Sequence, residues 1–237
     1  MSLVKKRSVL TNNQILTALP NREYQRLLPE LNPVHLAFGQ VLHDSGEIIR
    51  DVYFLDDSIV SLLSVVSEGS TLEVGLVGNE GMTGISVFLG ADIAPNRAIV
   101  QGAGSAMKMK SATLLREAGV ISALHGLLHR YVHSQFVQTS QLAACNRFHS
   151  VNARLARWFL MTRDRMGSNE FRVTQEFMSN MLGVRREGVN KAASALQRAK
   201  LISYSRGRIK LLDSKGLETR ACKCYEVIKT ERNAPFE

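Results

Sequence analysis

A chain of 237 residues, 45% apolar and 22% charged, has ample material for a buried core and the composition of neither a disordered nor a membrane protein. No apolar run approaches the ~20 residues of a bilayer span. Met1 to Arg7 is basic but has no apolar stretch or small-residue cleavage site, so it does not read as a secretory signal. Cys145, Cys222 and Cys224 are too few and too unevenly placed for a disulfide framework, and a reducing, cytoplasmic setting with no membrane partner is expected. The formal charge of +9 is not evenly spread: residues 1–149 hold 12 Lys+Arg and 12 Asp+Glu, residues 150–237 hold 18 and 9. A neutral block joined to a basic one implies two domains with different partners, and phosphate is the natural partner of the basic one.

In chain order, residues 14–31 read as short helical turns interrupted by Pro20 and Pro29. From Val34 to Met109 short apolar stretches alternate with turn residues. Val41-Leu42, Val52 to Leu55, Ile59 to Val66, Leu72 to Val77, Ala98 to Gln101 and Ala106 to Met109 are the stretches, and Ser45-Gly46, Glu68-Gly69 and Gly102 to Gly104 are among the turns. Strands at this spacing predict a small jelly roll. Helical sequence resumes at Ser111. Val120 to about Phe148 predicts one long helix, with Leu128, Val132, Phe136, Thr139 and Ala143 along a stripe. That length exceeds what one small roll covers, so the stripe is assigned to a dimer interface with a second copy. A further helix, Val151 to Arg165, starts after Ser150 as N-cap.

The sharpest signal lies in residues 174–200. Thr174 caps a short helix from Gln175 to Leu182, and Gly183 provides the left-handed turn into a second helix beginning at Arg185. Val189, Ala192, Ala193 and Leu196 form the buried side of that second helix. A short helix, a glycine turn and a second helix with polar residues at its start make a helix-turn-helix. Arg185, Arg186, Glu187, Asn190 and Lys191 are then placed to meet the major groove, with Thr174 and Gln175 beside them. Leu201 to Tyr204 and Ile209 to Leu212 flank Ser205-Arg206-Gly207-Arg208, a hairpin whose Arg206 and Arg208 would meet phosphates.

This order of roll, long helix and winged helix-turn-helix resembles the CRP/FNR superfamily of bacterial transcription regulators over about residues 14–215. Val184-Arg185-Arg186-Glu187-Gly188-Val189 is similar to the start of the family's recognition helix, with Arg186, Glu187 and Lys191 at its base-reading positions. Arg154-Leu155-Ala156 matches the position after the family's hinge. The family's cyclic-nucleotide cassette is matched in part. Gly81-Met82-Thr83-Gly84 stands where nucleotide-binding members have Gly-Glu-x-Gly, and Arg97-Ala98 stands for their Arg-Ser pair. Thr139-Ser140 matches the pair that meets adenine in the cyclic-AMP-binding member. The resemblance therefore implies an effector site at Gly81, Met82, Thr83, Gly84, Arg97, Ala98, Thr139 and Ser140. Methionine cannot accept the ribose hydroxyl's hydrogen bond as a carboxylate does, so cyclic AMP itself is a poor candidate.

His125, His129 and His133 recur every four residues on the long helix but lack third and fourth ligands for a metal. Cys222-Lys223-Cys224 is a lone C-x-C that nothing nearby repeats, and residues 1–30 contain no cysteine cluster. No metal or iron–sulfur cluster is expected. No G-x-S-x-G, HExxH or P-loop is present, so no catalytic residue is assigned and the chain reads as a non-enzyme. The rival reading is a cupin-like enzyme holding a metal through His35 and His43. The expected architecture is α+β: a sensory jelly roll, cyclic-nucleotide-binding-like, over 1–119; a dimerisation helix over 120–149; a winged helix-turn-helix over 150–222; and a tail over 223–237. Expected partners are double-stranded DNA, a second copy of the chain, a small-molecule effector, and RNA polymerase if the protein activates transcription.

Overall fold

The computed structural model describes residues 11–67 and 70–234. The readings of Met1 to Arg7, of the Glu68-Gly69 turn and of residues 235–237 lie outside these. The described residues open with α1 (Gln14–Thr17) and α2 (Asn21–Leu27), where Pro20 and Pro29 punctuate the turns as the sequence predicts. Asn13 caps α1 by accepting from the Leu16 amide, while its side-chain amide donates to the Leu55 and Gly81 carbonyls at 2.8 and 2.7 Å. One short side chain thus satisfies three backbone groups and ties the entry helix to the roll.

The roll comprises β1 (Asn32–Leu36), β2 (Val41–His43), β3 (Asp51–Leu55), β4 (Ile59–Ser67), β5 (Ser70–Val77), β6 (Met82–Thr83), β7 (Arg97–Gly102) and β8 (Gly104–Lys110). They form two four-stranded antiparallel sheets, ordered β1-β8-β3-β6 and β2-β7-β4-β5. Inward residues of both sheets, among them Phe54, Val60, Val100 and Met107, make one apolar core, as alternation along half-buried strands requires.

After α3 (Ser111–Ala118) runs α4 (Ser122–Phe148), 27 residues and therefore about 40 Å long. Its buried face is Leu124, Leu127, Leu128, Tyr131, Ser134, Gln138, Leu142 and Cys145. This corrects the stripe read from sequence. Leu128 is fully buried in the chain's own core, so it is not available to a partner. Phe136, 69% exposed, with Thr139 and Ala143 also exposed and Val132 half-buried, lies on a different face of the helix. Local periodicity finds apolar positions on a helix but does not say which of two adjacent faces its own domain takes.

The basic half begins with α5 (Val151–Met166), capped by the Ser150 side chain as predicted. Then follow β9 (Glu170–Arg172), α6 (Gln175–Leu182), α7 (Arg186–Arg198), β10 (Ile202–Ser205), β11 (Arg208–Leu211), α8 (Ser214–Arg220) and α9 (Cys224–Asn233). The wing is a sheet of order β10-β11-β9. Residues expected as a tail instead form α9, which packs along α4 and against α5. The second core joins α5, α6 and α7 to the roll, because Ile59, Leu63 and Leu76 pack in the same cluster as Leu155, Trp158 and Met178.

Polar contacts reinforce that junction. Trp158 Nε1 donates to Glu73 at 3.3 Å, and Gln101 Nε2 donates to Thr162 Oγ1 at 2.9 Å. Arg165 pairs with Glu80 at 2.7 Å, with both side chains 2% exposed. The basic half is therefore docked on the roll through α5 and not merely tethered to it. No helix among the described residues is long and apolar enough to cross a membrane.

Candidate nucleic-acid interface

Thr174 accepts from the Phe177 amide and so starts α6, and Gly183 ends it with φ +59°. A side chain is disfavoured at Gly183 twice over: by the left-handed backbone, and because a Cβ would stand 2.8 Å from Leu72 Cδ1 of β5. The glycine that turns α6 into α7 is thus also where the motif touches the roll. Arg185 is the N-cap of α7 in extended conformation, so regular helix starts one residue later than the sequence reading had it. Val189, Ala192, Ala193 and Leu196 are buried, as expected.

The opposite face is open. Arg185, Arg186, Glu187, Asn190 and Lys191 are all exposed at the beginning of α7. Arg186 Nη2 lies 2.7 Å from Glu176 Oε1 on α6, and Gln175 Nε2 donates to Asn190 Oδ1 at 3.4 Å. These are surface contacts of small net value, readily exchanged for other partners. Glu187 is exposed beside Arg185 and Arg186, so the helix start offers both donors and an acceptor to a base edge.

The hairpin turn has Arg206 at φ +48° and Gly207 at φ +75°, the two positive values a two-residue turn between twisted strands requires. Arg206 and Arg208 are exposed at this tip, on the same half as α7. Lys210 pairs with Glu170 at 2.6 Å, so on the wing its charge is locally compensated. Thr174 is exposed and Gln175 half-buried beside the α7 face.

The residues assigned to an effector are placed differently from the sequence reading. Gly81 lies against the Tyr131 ring of α4, so close that a Cβ there would come 2.3 Å from the ring. Tyr131 Oη donates to the Met82 carbonyl at 2.8 Å, and Met82, Thr83 and Ala98 are buried. Gly84 takes φ +81° against Ile49 and Val52. Arg97 forms a bidentate pair with Asp44, at 2.9 and 2.7 Å, and this guanidinium holds the Asp44 carboxyl below its ordinary range. Thr139 Oγ1 donates to the Val74 carbonyl at 3.0 Å, and Ser140 is exposed. The glycine segment is thus filled by an aromatic ring, and Arg97 is held by a carboxylate of its own chain. A tyrosine 50 positions downstream is not a signal that glycine spacing carries.

The three histidines of α4 find partners within the chain. His125 and His129 meet the Phe88 ring edge-to-face, with ring centroids 5.3 and 4.9 Å away, and His133 lies 3.8 Å from Glu231. His35 is exposed on β1, whereas His43 is buried on β2 of the other sheet and its pKa is lowered by that burial. Among the described residues neither belongs to a cluster of metal-binding side chains, which removes the geometric basis of the cupin reading.

One cluster does exist, and sequence reasoning missed it. Cys145 and His149 at the end of α4 meet Cys222 and Cys224 at the start of α9, with all four ligand atoms within 4.8 Å of one another. Cys145 Sγ is 3.4 Å from Cys222 Sγ, and Cys224 Sγ is 3.5 Å from His149 Nδ1. The Cys222 thiol as donor, with Arg157 and His149 alongside, holds the Cys145 thiol below its ordinary range, while the same hydrogen bond to Cys145, and then burial, push the Cys222 thiol up. The expectation of no metal-binding group rested on the C-x-C having no repeat nearby. Its complement stands 77 residues upstream, at the i, i+4 spacing of a helix end.

Residues 153–220 match the family model for the Crp-like helix-turn-helix domain. No curated protein matches the chain in sequence. Solved structures do match in fold. A CRP-family transcriptional regulator from Thermus thermophilus is 22% identical with TM-score 0.66, covering 79% of this chain and 96% of that one. FixK2 from Bradyrhizobium japonicum is 14% identical with TM-score 0.67, covering 81% and 98%. The c-di-GMP-responsive global regulator CLP from Xanthomonas campestris is 14% identical with TM-score 0.65, covering 81% and 99%. Residues 153–220 thus resemble the Crp-like helix-turn-helix domain, within a chain that has the fold of the CRP/FNR transcriptional regulators.

Proposed function

We propose that the protein is a homodimeric transcription regulator that binds a two-fold symmetric DNA site and takes a signal through its roll. The observation that carries this reading is the exposed start of α7, with Arg185, Arg186, Glu187, Asn190 and Lys191, next to the exposed Arg206 and Arg208 of the wing. In this reading α7 enters the major groove. Arg186 donates to guanine O6 and N7, Glu187 accepts from cytosine N4, and Asn190 and Lys191 meet the next base or phosphate. Thr174, Gln175, Arg206 and Arg208 position the domain on the phosphates. The match to the Crp-like helix-turn-helix family supports this assignment.

Dimerisation is assigned to the open face of α4, centred on Phe136, with Val132, Thr139 and Ala143. A 69% exposed phenylalanine in the middle of a 27-residue helix is costly in water and gains by burial against its symmetry mate. Signal input is assigned to the junction between roll and α5. A cleft of about 590 Å³ there, lined by Phe38, Gln101, Trp158, Thr162, Phe171 and Arg206, would let a small molecule bear on both halves.

Selection from a random duplex pool tests the reading. The expected product is a palindrome with half-sites about 34 Å apart, bound with an affinity that falls steeply as salt rises. Recovery of no enriched sequence, or binding indifferent to salt, overturns it.

A further inference from the structure

We infer that Cys145, His149, Cys222 and Cys224 form a tetrahedral site for a single thiophilic divalent cation, with zinc the best match, clamping α9 to the hinge end of α4. The donor set is three thiols and one imidazole, the composition of a closed zinc site. Zinc–sulfur bonds of ~2.3 Å place the ligands of a tetrahedron about 3.8 Å apart, and a sulfur–nitrogen edge is somewhat shorter. The distances of 3.4 Å between Cys145 and Cys222 and 3.5 Å between Cys224 and His149 already approach these edges. An iron–sulfur cubane spreads its ligands over four irons and needs a wider set than one confined to 4.8 Å, so the spacing selects a mononuclear ion.

The surroundings are those of a built site. Cys145 and Cys224 are 0% and 1% exposed and Cys222 is 9% exposed, while His149 faces solvent and leaves the ion a way in. Both ligand pairs are held by local backbone geometry. The His149 amide donates to the Cys145 carbonyl at 3.1 Å, which fixes the i, i+4 pair, and the Tyr225 amide donates to the Cys222 carbonyl at 3.0 Å at the opening of α9. Gln141 Nε2 donates to Cys224 Sγ at 3.3 Å, the outer hydrogen bond that a metal thiolate commonly receives.

Charge supplies the independent observation. Arg154 and Arg157 are 6% and 2% exposed, each with an Nε atom that has no hydrogen-bond partner, and both act electrostatically on Cys145. Buried guanidinium groups require anionic company. With the ion bound all three cysteines are thiolates, and three thiolates with one divalent ion leave one net negative charge facing these arginines. Arg154 also donates through Nη2 to the Leu182 carbonyl at the end of α6. The ion would therefore brace the hinge, α9 and the helix-turn-helix at one point.

The test uses the full chain, purified without a histidine tag and kept reduced. Elemental analysis should give about one zinc per chain, and replacement by cobalt should give the intense visible bands and thiolate charge transfer of tetrahedral sulfur ligation. Chelator should expose three thiols to a thiol reagent that zinc had protected. The Cys222→Ser/Cys224→Ser variant should lose the ion, and His149→Ala should change the cobalt spectrum with little risk to folding, since the side chain is exposed. Substoichiometric metal after zinc incubation, weak octahedral cobalt bands, thiols equally reactive with and without chelator, or a Cys145–Cys222 disulfide forming in place of metal uptake would each overturn the proposal. None of these readouts depends on DNA binding.

Discussion

Arg165 of α5 and Glu80 of the roll meet at 2.7 Å with both side chains 2% exposed, and Arg165 also donates to the Met161 carbonyl and to Gln138 of α4. A buried charge pair is sustained only while both partners and their extra hydrogen bonds are present. This pair sits where roll, long helix and basic half converge, so it reports on how the halves are held. Removing one partner, as in Glu80→Gln or Arg165→Met, should cost ~3–5 kcal/mol in denaturant unfolding. Replacing both with apolar residues of similar volume should cost much less. A double variant that loses the sum of the two single losses would show that the pair is not coupled.

Glu73 gives the junction a pH dependence. It is 4% exposed, accepts from Trp158, and lies 2.8 Å from Ser61 Oγ, whose single proton also faces Gln101 at 2.6 Å. Burial raises its pKa above the usual 4.5, against the opposing pull of Ser61, Arg157, Trp158 and Arg165. For an acid whose folded pKa is raised, the stabilisation is complete below the unfolded value and is lost as pH rises through the folded one. The wild type should therefore lose stability as pH climbs above 4.5 through the raised value. Glu73→Gln, which can donate to Ser61 permanently, should flatten that slope. Parallel pH profiles of melting temperature for the two proteins would refute this.

At the DNA face, Arg186→Ala should cost roughly 1–3 kcal/mol of operator affinity and relax preference at one base pair per half-site. Arg208→Ala should weaken binding to all sequences alike and lower the salt slope by about 1. Fluorescence anisotropy on cognate and scrambled duplexes across a salt series separates the two roles. If Arg186→Ala weakens both duplexes equally, α7 does not read sequence through that residue.

Phe136→Lys should convert a dimer to a monomer without loss of melting cooperativity, because the ring is 69% exposed and contributes little to the chain's own core. Leu128→Ala, by contrast, opens a cavity in the roll core and should cost ~2–5 kcal/mol. Sedimentation velocity of the Phe136 variant decides between a dimer through this face and another arrangement.

Much of the fold was legible because its signals are local. Thr174, Gly183 and the buried quartet of α7 carry the helix-turn-helix in fewer than thirty consecutive residues, since caps and 3.6-residue periodicity act within one or two turns. The wing was legible for the same reason, through a glycine turn between two apolar runs. The roll's strands were readable from alternation and turn residues. Which face of α4 its own domain would cover was not, because Leu128 and Phe136 look alike until the roll is placed against one of them.

The residues read as an effector site meet long-range contacts that the sequence did not show. Glycine spacing at 81 and 84 describes a chain that bends, but the space beside Gly81 is taken by Tyr131, and Arg97 is taken by Asp44. Burial and pairing are properties of the assembled chain and leave no trace in the spacing of a motif.

From its sequence alone, this protein has a neutral roll of short strands, a long helix and a basic winged helix-turn-helix, because charge, periodicity and capping are encoded within neighbouring residues. Tertiary packing alone decided that the basic half docks on the roll through Trp158 and Arg165, and that the last helix folds back along α4. It also brought Cys145 and His149 to Cys222 and Cys224. Those four residues are remote in the chain and adjacent only after two helices pack, and the energy that selects such a contact comes from burying faces against each other, not from any local pattern.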